Sequence, residues 1–114
     1  MDNRIEKLLN TFHGLFGQAQ PVIYSAPGRT EIGGNHTDHQ HGSVLAGGVN
    51  LDVIAVVAPN DDKKVRIKSE GYDMDVIDIA ELEKNESEHG RASALIRGVL
   101  SRFNELGCAL SGFN

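Results

Sequence analysis

The run Ala26-Pro27-Gly28-Arg29-Thr30-Glu31-Ile32-Gly33-Gly34-Asn35-His36-Thr37-Asp38-His39-Gln40-His41-Gly42 holds four glycines, one arginine, two carboxylates and three histidines. Gly28, Gly33, Gly34 and Gly42 admit positive φ and close backbone approach. Pro27 holds Ala26 extended and is expected to end the segment before it, so the run reads as a loop that folds round a small ligand. Arg29, Asn35, His36 and Asp38 supply donors and acceptors of different kinds. A polyhydroxylated ligand needs such a set, because every enclosed hydroxyl both donates and accepts. A sugar suits this loop. Two other readings stay open on residue type alone: a solvated turn whose histidines face water, and a metal site built from His36, Asp38, His39 and His41.

The flanking elements must position this run. Ile5, Leu8, Leu9, Phe12, Leu15 and Phe16 recur at helical spacing, with Asn3 and Glu6 as a capping pair and Gly14 and Gly17 weakening and then stopping the helix. His13 beside that stripe is read as a surface residue. Gln18 to Pro21 is a linker, and Val22 to Ala26 a short β-rich segment that delivers the chain into the glycine run. Val44 to Ala46 and then Val49 to Ala58 are the most apolar part of the sequence. Within it Asn50 to Ala58 predicts a strand buried on both faces. Pro59 to Asp62 turns the chain, and the alternation of Lys64-Val65-Arg66-Ile67-Lys68 predicts a hairpin partner whose cations form a solvated face.

Met74, Val76, Ile77 and Ile79 predict a further strand with a bulge at the Val76–Ile77 slip. Glu81, Glu83, Glu86 and Glu88 mark a solvated acidic stretch. Ala92, Leu95, Ile96, Val99, Leu100, Phe103 and Leu106 then define a second amphipathic helix ended by Gly107. Ala109 to Asn114 resembles the approach to another strand. There is no internal repeat.

Composition narrows the partners. At 114 residues and 12.3 kDa the chain is one domain or part of one, and its 39% hydrophobic and 24% charged residues are those of an ordinary globular protein. A net charge of −5 argues against nucleic acid or an anionic membrane. No apolar stretch reaches the roughly 18 residues of a membrane span. Cys108 has no second cysteine to pair with and is read as inert packing at a helix end. The N-terminus leads into an amphipathic segment, so a cytoplasmic location is expected.

The spacing Gly28-Arg29-x-x-x-Gly33-Gly34-Asn35-His36-Thr37-Asp38-x-x-x-Gly42 resembles the galactokinase signature, the first motif of the GHMP small-molecule kinases, usually Gly-Arg-Val-Asn-Leu-Ile-Gly-Glu-His-Thr-Asp-Tyr-Asn-x-Gly. The likeness continues through Val44-Leu45 and Val49-Asn50, and is clearest over residues 20–114. Glu31, Gly33, Asn35 and His39 depart from it, standing where the common pattern has Asn, Ile, Glu and Tyr. The resemblance implies an α+β two-layer sheet-and-helix unit, like the first half of the GHMP N-terminal domain, a fold of the ribosomal protein S5 domain 2 type. It further implies ATP- and Mg2+-dependent phosphorylation of the 1-hydroxyl of galactose, with Asn35, His36 and Asp38 holding sugar hydroxyls and Arg29 both binding sugar and acting beside the reacting hydroxyl.

By the same resemblance, residues 1–114 are a partial N-terminal sugar-binding domain. The phosphate loop, the catalytic aspartate and the C-terminal domain would lie beyond Asn114, and no nucleotide-binding or metal-binding residue is expected within the chain. The isolated piece is then expected to be inactive and to self-associate through an exposed sheet edge. Other readings are a non-catalytic galactose sensor and a kinase for N-acetylgalactosamine, arabinose or a uronic acid, which the Asn35 departure keeps open. A zinc hydrolase using His36, Asp38 and His39 is the third, since Gly34-x-His36-x-Asp38-His39 resembles the His-x-His-x-Asp-His run of metallo-β-lactamase-type enzymes apart from its first position.

Overall fold

A computed structural model describes residues 2–34 and 41–114. It is an α+β structure in which helix α1 (Asn3–Phe16) is followed by strands β1 (Val22–Gly33), β2 (Leu45–Val57), β3 (Lys64–Lys68) and β4 (Met74–Asp78). A 3-10 turn (Glu86–Glu88) then leads to helix α2 (Ala92–Glu105). Strand β1 pairs with β2 and β3 with β4. The chain divides into two compact units, Met1–Gly17 with Val22–Val56, and Gln18–Pro21 with Val57–Asn114.

In the first unit α1 forms where the apolar spacing predicts. Its cap is Asp2 rather than Asn3: the Asp2 carboxylate accepts from the Arg4 backbone N–H at 3.0 Å, which satisfies one of the donors left free at a helix start. Gly14 stays within the helix, and Gly17, at φ 81°, ends it with its N–H donating to the His13 carbonyl. Phe12 is buried, with the Phe16 ring centroid 5.2 Å away.

Strand β1 runs through Pro27 and Gly28 to Gly33, seven residues beyond the segment expected to stop at Ala26. Proline's φ is compatible with an extended chain where its missing donor is not needed. Gly28 explains the rest: a β-carbon there would sit 3.1 Å from Val49 Cγ2 and 3.3 Å from the Leu51 carbonyl oxygen, so the bare backbone lets β1 close on β2. The contacts Ser25 to Asp52, Gly28 to Val49 and Leu51, and Gly34 to Ser43 and Val44 run in opposite directions along the two strands, an antiparallel pairing.

Across that pair Asp52 joins three segments. Its carboxylate accepts from Ser25 Oγ at 2.6 Å and from Arg4 Nη1 at 2.9 Å, while Arg4 Nη2 donates to the Asp52 carbonyl at 3.3 Å. Hydrogen bonding by the Ser25 hydroxyl and then by the Arg4 guanidinium holds the Asp52 carboxyl below its ordinary range. The burial expected on both faces of β2 is not found. Asp52, Ile54 and Val56 are partly covered, whereas Leu51 and Val53 are 73% and 74% exposed, because this two-stranded sheet has α1 tied to its Asp52 side.

The second unit has the fuller core. Val65 and Ile77, directly opposite in the β3–β4 register, are fully buried and meet Leu100 of α2, with Ile67, Ile79, Leu82, Ile96, Leu110 and Phe113 packed round them. Burial of each such side chain stabilises by about 1.5–3 kcal/mol. Strand β3 therefore makes its hairpin with β4, not with the strand before it. Its other edge is taken by the last residues of the chain. Arg66 N donates to the Phe113 carbonyl and Phe113 N to the Lys64 carbonyl, while Ala58 and Asn114 exchange a pair of backbone bonds at 3.0 and 2.9 Å. Gly112 to Asn114 thus lie between residues 58–60 and β3, where Phe113 makes isolated bridges to Pro59 and Val65 rather than a further strand.

No bulge interrupts β4. Its five pairs with β3 are continuous, and Val76 faces outward at 52% exposure while Ile77 points in. The acidic stretch is not wholly solvated either. Glu88 forms a two-pronged ion pair with Arg97 of α2, both contacts at 2.9 Å and both side chains largely buried, and Arg97 also donates to the Glu81 carbonyl. Arg97 is the main reason the Glu88 carboxyl lies below its ordinary range.

Helix α2 ends at Gly107, φ 81°, with Cys108 N donating to the Phe103 carbonyl in a Schellman-type close. The helix buries Ser93 and Leu100, yet Leu95, Val99, Phe103 and Leu106 are exposed. Its apolar stripe is wider than the face the β3–β4 sheet covers. Cys108 is exposed rather than packed.

Two outcomes follow from these contacts. A β-carbon at buried Gly112 would lie 2.8 Å from both Lys64 N and O and closer still to Asn60 Oδ1, so Gly112→Ala is expected to destabilise the second unit by about 1–3 kcal/mol in urea denaturation. The Asp52 carboxyl, depressed in the folded state, contributes stability above its unfolded value that is lost as pH falls through the folded one. Melting temperatures measured downward from about pH 4 should therefore fall more steeply for the parent chain than for Asp52→Asn.

Candidate functional site

Of the residues predicted to hold a sugar, Arg29 is described and Asn35, His36 and Asp38 lie outside the described residues, as does His39 of the zinc reading. Arg29 sits on β1 rather than in a loop. Gly28 before it and Gly34 after it fix the course of that strand. A β-carbon at Gly34, whose φ is 85°, would lie 2.9 Å from Val44 Cα and still nearer the Ser43 carbonyl. Only a residue without a side chain lets the chain leave β1 here without displacing the start of β2. The return is marked by His41, at φ 55°.

The Arg29 side chain is 75% exposed and so is open to a ligand. Two residues on, and hence on the same side of the strand, Glu31 accepts from Arg29 Nη2 at 3.2 Å. Each side chain has more donors or acceptors than this one contact uses. The pair can therefore donate to and accept from neighbouring hydroxyls. Glu31 stood in the sequence as a departure from a motif, and nothing in spacing alone distinguished it from a solvated acid. Asp52 was missed as well. A lone carboxylate inside an otherwise apolar β-branched segment was the available signal, and the structure shows what it does: it ties β1 to β2 and both to α1.

Two of the three cations of β3 are engaged structurally. Arg66 pairs with Asp62 at 2.5 Å and reaches Asn114 Oδ1 at 3.4 Å, and Lys68 donates to the Tyr72 carbonyl. A hollow of about 440 Å3 in the second unit lies between the 3-10 turn and α2, and the Glu88–Arg97 and Arg102–Glu105 pairs that line it are already matched.

Comparison with known proteins bears on the strand pair that carries Arg29. A profile described as the galactokinase galactose-binding signature matches residues 10–59, which takes in β1 and β2. Among curated relatives, galactokinase of Lactobacillus helveticus is 35% identical over 85 residues, 71% of this chain and 22% of that protein. Galactokinase of Enterococcus faecalis is 36% identical over 67 residues, 59% of this chain and 17% of that protein. The chain thus spans about a fifth of the length of these relatives. The crystal structure of Lactococcus lactis galactokinase complexed with galactose superposes with a TM-score of 0.83 at 25% identity, over 97% of this chain and 29% of that one. With signature, relatives and structure agreeing on one family, the chain is galactokinase-like.

Proposed function

We propose that this chain is the sugar-holding part of a galactokinase of the GHMP type, a phosphotransferase that moves the γ-phosphoryl group of ATP to the anomeric 1-hydroxyl of galactose. The observation that carries the reading is the exposed Arg29 on β1, within the residues matched by the galactose-binding signature. Galactose as the ligand is supported by the galactose complex of the Lactococcus lactis relative.

Phosphoryl transfer is catalysed chiefly by positioning and by offsetting charge. In this reading Arg29 lies beside the reacting hydroxyl, where a guanidinium orients it and offsets negative charge on the transferring group. Asn35, His36 and Asp38 grip the remaining hydroxyls, with Asp38 the strongest acceptor. The described residues do not fit a nucleotide. Gly47 and Gly48 are extended within β2 rather than in a loop at a helix start, and the basic residues Arg66 and Lys68 are taken by Asp62 and Tyr72. ATP and Mg2+ are therefore assigned to other parts of the polypeptide, and no step through them is assigned here. An exposed free thiol at Cys108 suits a reducing cytoplasm. The exposed apolar residues Leu51 and Val53 support self-association of the 114-residue chain on its own.

The purified 114-residue chain is expected to form no galactose 1-phosphate from ATP and galactose in a coupled assay, and turnover by it would refute this division of labour. In protein expressed from the complete reading frame, Arg29→Ala should lower kcat/KM for galactose on the order of 10²–10³-fold. A loss below threefold would remove Arg29 from the reaction. Galactose binding without any turnover in that complete protein would identify a sensor instead.

A further inference from the structure

We propose that Ser25, held by Asp52, is a positioning residue for the phosphoryl transfer: their hydrogen bond selects the register of β1 on β2 and so fixes where Arg29 stands. The inference rests on the reading of Arg29 above and deepens it.

Four residues separate Ser25 from Arg29 on one continuous strand, so the two side chains share a face. Asp52 lies on that face too, because its carboxylate accepts from Ser25 Oγ. At 2.6 Å this bond has the length of a hydroxyl donating to an ionised acid, one of the stronger kinds of hydrogen bond. Arg4 Nη1, 2.9 Å from the other carboxylate oxygen, holds the acceptor from α1.

The strand pair has need of such a contact. An antiparallel ladder repeats every two residues, so a two-residue slip re-forms most of its backbone bonds and keeps each side chain on its face. It would carry Arg29 about 7 Å along β2. Burial of one face is what ordinarily forbids a slip, and Gly-rich strands with little burial lack that restraint. This pair is of that kind: every residue of β1 is exposed, β1 contains Gly28 and Gly33, β2 contains Gly47 and Gly48, and Leu51 and Val53 are uncovered.

Two features discriminate against the slip. Gly28 acts by exclusion, since Ala26 or Thr30 brought to its place would carry a β-carbon into Val49 and the Leu51 carbonyl. The Ser25–Asp52 bond acts by attraction. A two-residue slip sets Ile23 or Pro27 opposite Asp52, and neither side chain has a hydrogen to donate. A bond to a charged acceptor weights such an equilibrium roughly tenfold or more. Strand formation itself does not call for an acid in the middle of β2, where aspartate is disfavoured.

The test is steady-state kinetics with galactose and ATP on protein from the complete reading frame, with Ser25→Ala made both in the parent and in Arg29→Ala. In the parent Ser25→Ala is expected to lower kcat/KM for galactose about tenfold, since small displacements of a reacting group are costly. In Arg29→Ala it should cost less than about threefold, because nothing remains for Ser25 to place. Ser25→Thr, which keeps the hydroxyl, should stay within about threefold of the parent. A reduced folded fraction lowers both backgrounds by one factor, so equal losses overturn the positioning role. So do a loss below threefold in the parent, a Ser25→Thr loss as large as that of Ser25→Ala, and a Ser25→Ala protein that does not fold. These outcomes leave Arg29 in its role. A loss below threefold in Arg29→Ala itself, or no turnover by the parent, overturns the reading of Arg29 and this inference with it.

Discussion

Asp52 joins parts of the first unit that are distant in the chain. One carboxylate oxygen takes the hydroxyl hydrogen of Ser25 on β1 and the other takes an N–H from Arg4 at the start of α1, and the same arginine reaches the Asp52 carbonyl. Side chains on a strand alternate, so a slip of one residue between β1 and β2 would turn every β1 side chain to the opposite face. The Ser25–Asp52 bond opposes that slip four residues before Arg29. Gly28 acts in the same direction, because the close approach of β1 to Val49 and Leu51 has room only for a residue lacking a side chain. The placement of the one described sugar-site candidate thus depends on a hydroxyl, a carboxylate and a missing β-carbon.

The two units differ in how completely they satisfy their apolar residues. The second closes a core in which Val65 faces Ile77 across the β3–β4 pair and Leu100 covers both, and the terminal residues Gly112 to Asn114 fill the free edge of β3. In the first, Phe12 is buried whereas Leu51, Val53 and Ile32 are exposed. An apolar side chain in water is stabilising only if something covers it. These residues and the outer stripe of α2, Leu95, Val99, Phe103 and Leu106, are left exposed.

Around Arg29 the chemistry is that of paired opposite charges held open to solvent. Among the described residues the guanidinium and the Glu31 carboxylate are joined by one contact, at 3.2 Å. Elsewhere the chain uses the same residue types for architecture. Arg97 and Glu88 make two contacts, lie largely buried, and pin the acidic stretch to α2. Number of contacts and exposure, rather than residue type, separate the two pairs.

Local pattern was enough to read both helices, the linker at Gln18 to Pro21 and the Gly17 and Gly107 stops, because spacing and backbone-permissive residues act over a few positions. The Gly28-Arg29 to Gly42 spacing likewise carried the family, since a motif is itself a local arrangement. Partnership was not legible. Whether β3 pairs with β2 or β4, which faces of β2 and α2 are covered, that β1 continues through Pro27, and that Asp52 and Glu31 have charged or hydroxyl partners are settled by segments far apart in sequence or by side-chain geometry. Periodicity records which residues are apolar, but only the folded chain determines which of them, and which charges, find something to touch.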